Sequence, residues 1–150
     1  MSRPFRFGLE RVREIRVHDE DQAKERFAAS LNARLRGEAV LRAAEERLRE
    51  AQSGVTAPSM GPLTGPALVA RQAWVERMEH DRADATLRMR NYEAELQARR
   101  AELAKASQAR EVLEKLKQRK AEEHRLEAER AEAGRLDEMA LQMFSRRSAA

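Results

Sequence analysis

Three histidines, His18, His80 and His124, are the residues of this chain best suited to titrate near neutral pH or to bind a metal. Each stands alone. No second histidine or set of carboxylates lies at a spacing that would close a metal site, so each is expected on a solvated helix face. Carboxylates do occur in pairs, as Glu45-Glu46 and Glu122-Glu123. Neighbours on a helix point in different directions, however, and cannot share a proton as an acid–base pair must. The stretch Gly61-Pro62-Leu63-Thr64-Gly65 is rich in glycine, but a phosphate loop also needs a Lys-Ser/Thr pair and a preceding strand. The absence of cysteine removes thiolate catalysis, disulfides and cysteine metal sites. These residues read as those of a protein that is not an enzyme and needs no cofactor or metal.

The elements that carry them are helices. Of 150 residues, 37% are charged, 41% are apolar and only 4% are aromatic, too few large side chains for a thick globular core. Three of the four prolines (Pro58, Pro62, Pro66) and three of the six glycines (Gly54, Gly61, Gly65) fall within residues 53–66. That cluster divides the chain into a helix over about 8–52, a mobile loop over 53–66 and a helix over about 67–144. The helices would be about 65 Å and about 115 Å long. Gly37 and Gly134 interrupt them, at a cost of about 1 kcal/mol each relative to Ala, too little to end a helix.

In the second helix Val75, Met78, Arg82, Ala85, Met89, Tyr92, Leu96, Arg99, Leu103, Ala106, Arg110 and Leu113 alternate steps of 3 and 4, a heptad seam containing three arginines. A new phase carries Leu126, Glu129, Ala133, Leu136, Ala140 and Met143. In the first helix Leu41, Ala44, Leu48 and Ala51 keep the heptad, whereas Phe27, Leu31 and Leu35 step by 4 and 4, a drift in phase. Acids precede bases by four residues in Glu20 with Lys24, Glu45 with Arg49, Asp84 with Arg88, Glu95 with Arg99 and Glu111 with Lys115, which supports solvated helices. The fold expected is all-α, a single domain over 1–150 in which two long helices form an antiparallel coiled-coil hairpin.

Binding must then use exposed apolar residues. Trp74, the single Trp, stands just after the loop with Val75 and Met78 on the same turn; it either closes the hairpin tip or anchors a partner. Phe5, Phe7 and Leu9 near the start, and Leu136, Met139, Met143 and Phe144 near the finish, are expected to share one end of the hairpin, packed on each other or on a partner. The net charge of +4 comes from bases interleaved with acids, giving no concentrated basic field. A generic coiled-coil adaptor using Arg-rich faces on nucleic acid is the alternative reading. No stretch nears the roughly 20 apolar residues that span a bilayer, and the opening lacks a secretory signal, which points to the cytoplasm.

Phe5-Arg6-Phe7-Gly8-Leu9-Glu10-Arg11-Val12 with Glu14-Ile15-Arg16, the segment 113–120 (Leu-Glu-Lys-Leu-Lys-Gln-Arg-Lys), and Leu136-Asp137-Glu138-Met139-Ala140 with Phe144 and Arg146 resemble, in order and spacing, the FliJ family of flagellar export proteins. The resemblance runs over essentially the whole chain. It implies a stalk and escort protein, peripheral to the inner membrane at the flagellar base, that engages the hexameric export ATPase and the cytoplasmic domain of the export gate. Export chaperones are a further candidate partner. By resemblance, Trp74 and Met78 occupy the gate-contacting spacing. Phe5, Phe7, Leu9, Leu136, Asp137, Met143 and Phe144 fall on the ends that would enter the ATPase ring.

Overall fold

The computed structural model describes residues 3–54 and 64–149. Two helices, α1 (Glu10–Ser53) and α2 (Gly65–Ser148), pack antiparallel as a hairpin. Most of the expected mobile loop, residues 55–63, lies outside the described residues. The two helix ends that flank it are capped. At the end of α1, Gly54 adopts φ 69°, the left-handed turn that closes helices and that glycine takes without steric cost. The last turn of α1 carries no basic residue of its own, and Arg71 of α2 donates to the Gln52 carbonyl at 3.3 Å. The Thr64 hydroxyl accepts from the Ala67 amide at 3.4 Å, an N-cap for α2. Pro66, expected in the loop, therefore sits in the first helical turn, where its missing N–H would have had no helical partner. At its other end α2 continues past the expected 144 to Ser148.

The fold divides into two compact units, one of residues 21–104 and one that joins the chain up to residue 20 with residues from 105 onward. In the first unit, the core is Leu48, Ala51 and Met78 with Val75 packed against them. The α1 seam there runs Ala23, Phe27, Ser30, Arg34, Gly37, Leu41, Ala44, Leu48, Ala51, in unbroken steps of 4 and 3, each residue buried or half-buried. This corrects the drift expected from Phe27, Leu31 and Leu35. Two steps of 4 rotate a residue about 80° off the seam, and Leu35 is 49% exposed. Ser30, Arg34 and Gly37 hold the seam instead. The Arg34 guanidinium reaches Glu93 of α2 at 2.6 Å. Gly37 leaves room for the Tyr92 ring, whose Cδ2 would stand 2.6 Å from an added Cβ. On α2 the expected seam is buried or half-buried throughout this unit except at Arg82, which is exposed.

In the second unit, Arg13, Val17 and Glu20 of α1 face Ser107, Arg110, Glu114 and Lys117 of α2, all buried or half-buried. Glu20 is only 5% exposed. Its carboxylate accepts from Arg110 and, at 2.9 Å, from the Ser107 hydroxyl, so the buried charge is met by a charge and a hydrogen bond. From residue 129 onward every described residue of α2 is exposed. Across both units, no described side chain falls below 2% exposure.

Candidate partner-binding site

Every described residue from 64 to 74, the first turns of α2, is exposed, and Leu68, Val69 and Trp74 are the large apolar side chains there. Trp74 is 48% exposed. Met78, one turn on, is 5% exposed and packed in the Leu48 and Ala51 core. The heptad dictates this difference: Met78 is a seam position and Trp74 lies just beside the seam. The structure thus presents one side chain of the expected pair to solvent and holds the other inside. Leu68 and Val69, one and two positions past the first turn, were not singled out from the sequence because they come after a proline cluster without a periodic stripe.

The two sets of apolar residues expected at one hairpin end are apart. Phe5 and Phe7 are half-buried against α2, where Phe5 lies 5.7 Å from the His124 ring, tilted by 57°. They line an open cleft with Leu9, Leu116, Lys120 and His124. Leu136 to Phe144 lie 12 to 20 residues further along α2 than His124, roughly 18 to 30 Å by helical rise. The cause is length: α1 reaches only as far as this part of α2, and none of the described residues covers the remaining turns. Leu136 is 61% exposed, Met143 65% and Phe144 73%. Leu136, Met139, Ala140 and Met143 recur at spacings that place them on one side of the helix. Asp137 stands beside that side. Leu141, also strongly exposed, falls outside the stripe.

Between these regions several charges are paired, some across the two helices and some along one. Arg13 donates to Glu10 and to Glu114, each at 2.7 Å, and Lys117 stands 2.9 Å from the other Glu10 oxygen. The Arg13 hydrogen bond, joined by Lys117, holds the Glu10 carboxyl at about 2, far below its ordinary value, while the same acids raise Arg13. Glu93 is lowered by the hydrogen bond from Arg34. Arg125 is raised by Glu122, which it lowers in turn. Of the expected i,i+4 pairs, Glu95 with Arg99 closes at 3.6 Å, whereas Arg49 takes Glu46 at 2.6 Å. His80 is 3.4 Å from Asp84, and no group of three metal-ligating side chains exists among the described residues.

Glu20 is a seam residue that sequence reasoning missed. Counting the heptad back by three from Ala23 reaches it, but a search for apolar positions passes over a carboxylate.

A family model described as flagellar FliJ protein matches residues 5–149. No curated protein and no solved structure matches the chain.

Proposed function

The chain belongs to the FliJ family, and from that premise we propose that it is the stalk that engages the hexameric export ATPase through the uncovered part of α2 and the cytoplasmic domain of the export gate through Trp74. Family membership makes it a non-enzymatic component of flagellar export, associated with the flagellar base. No helix among the described residues is long and apolar enough to cross a membrane. A peripheral, cytoplasmic position beside the inner membrane accords with that.

One observation carries the reading: α2 outlasts its partner and exposes Leu136, Met143 and Phe144 with no cover among the described residues. A single helix about 10 Å across is narrow enough to enter the pore of a ring. Leu136, Asp137, Met143 and Phe144 make the ATPase contact. Phe5, Phe7 and Leu9 fasten the start of the chain to α2 before that segment begins. At the gate, Trp74 is the contact and Met78 fixes its helix to α1. The nucleic-acid reading has less to support it, because bases alternate with acids along the chain and Arg13, Arg34, Arg99, Arg110 and Arg125 are each engaged by carboxylates.

Deleting residues 141–150 is expected to abolish stimulation of ATP hydrolysis by the hexamer while leaving gate binding intact. Trp74→Ala is expected to do the reverse, weakening gate binding by about 2 kcal/mol, the cost of losing an interface anchor. A truncated chain that stimulates as well as the full one sinks the assignment of the α2 end.

A further inference from the structure

The uncovered part of α2 continues a heptad: Leu126, Glu129, Ala133, Leu136, Ala140, Met143 and Arg147 alternate steps of 3 and 4. An apolar seam of this kind, with an acid near one end and a base near the other, matches itself when reversed. We propose that this face pairs with the same face of a second copy of the chain, antiparallel, about a twofold axis beside Glu138. The proposal goes beyond the export reading and does not depend on it.

In that register the seam layers are Leu136 on Ala140, Ala133 on Met143 and Glu129 on Arg147, each formed twice by symmetry. The flanking positions agree, since Glu132 faces Arg146 and Arg130 comes beside the Phe144 ring of the second copy, a cation–π geometry. A parallel pair would instead set Glu129 on Glu129 and Arg147 on Arg147. One flank is unfavourable: Asp137 meets Asp137 across the axis. All of these side chains belong to the exposed part of α2, so pairing leaves the packing of α1 on α2 undisturbed, and the Glu129 carboxylate, which accepts from Arg125 of its own helix at 2.5 Å, would be shared with Arg147 of the second copy. The paired layers run over residues 129–147, just under three heptads and short for a stable coiled coil. The pair should therefore be weak, with a dissociation constant of order 0.1 mM. Its effect is to shelter Leu136 and Met143 from water in the free protein.

Sedimentation equilibrium of the full chain, with no other protein present, reads this directly, and its result stands whether or not the ATPase binds. The chain is expected to pass from monomer to dimer with rising concentration. Arg147→Glu should weaken the dimer about tenfold, because the change is felt in two layers. Glu129→Arg with Arg147→Glu should restore it, and Asp137→Asn should strengthen it about threefold. Because the chain lacks cysteine, Glu129→Cys chains mixed with Arg147→Cys chains report register: the mixed disulfide should form ahead of either homodisulfide. Circular dichroism establishes that each variant remains helical. A chain still monomeric at about 1 mM, a double variant no better than Arg147→Glu alone, or a dominant disulfide between two Glu129→Cys chains overturns the proposal.

Discussion

Glu10 shows how much a single half-buried carboxyl can be constrained by its neighbours. Arg13 of its own helix, first, and Lys117 of α2, second, hold it at about 2 against an ordinary 4.5. A carboxyl lowered in the folded state stabilises the fold fully above its unfolded value and progressively less as pH falls through the folded one. The contribution of Glu10 is therefore expected to be constant above about pH 5 and to disappear between about 4.5 and 2. An NMR titration of the side-chain carboxyl should find it charged well after unpaired glutamates have protonated. Arg13→Ala should bring it back toward the ordinary value by more than Lys117→Ala does. Equal effects of the two changes would show that Arg13 is not its principal anchor.

At the scale of the helices, the two interior glycines separate propensity from packing. Gly37 lies under the Tyr92 ring, and an added Cβ would meet its Cδ2 at 2.6 Å and its Cε2 at 2.7 Å. Gly134 has nothing within 4 Å of such a Cβ. Substituting Ala should add about 0.5–1 kcal/mol of helix stability at Gly134, as expected for a solvated helix. At Gly37 the same gain is opposed by displacement of a ring packed on the backbone, so Gly37→Ala should be destabilising. Thermal unfolding of the two variants checks the difference in sign; similar stabilisation of both would show that Tyr92 yields freely. This contrast was closed to the sequence, where each glycine appears only as a break in a run of helix formers. The α2 seam was open to it, because Val75, Met78, Ala85, Met89, Tyr92 and Leu96 are themselves apolar and count out a heptad. The α1 seam was half hidden: Ser30, Arg34 and Gly37 occupy seam positions, and for two of them the reason lies on the other helix, in Glu93 and Tyr92. The exposed α2 end was likewise legible as apolar, while its separation from Phe5 and Phe7 depended on where α1 stops.

Taken whole, the molecule closes each of its two units with a single layer of contacts between one stretch of α1 and one of α2. Small side chains fill much of that layer, as Ala23, Ala44, Ala51 and Ala85 among the buried residues attest. Ion pairs from Arg34, Arg110 and Lys117 close its edges. An interface so thin has no second layer behind it, which is why none of the described side chains is sealed to below 2% exposure. The consequence is calorimetric. The heat-capacity increment on unfolding scales with apolar surface newly wetted, and ordinary globular domains give about 12–15 cal/mol/K per residue. A chain whose seam is already partly wet, and whose α2 end is wet throughout, should fall clearly below that range by scanning calorimetry; a value within it would mean that far more apolar surface is hidden than these helices enclose. A small increment flattens the dependence of stability on temperature. Such a protein loses little by cooling, gains little at any optimum, and melts because its helices unwind rather than because a core is breached.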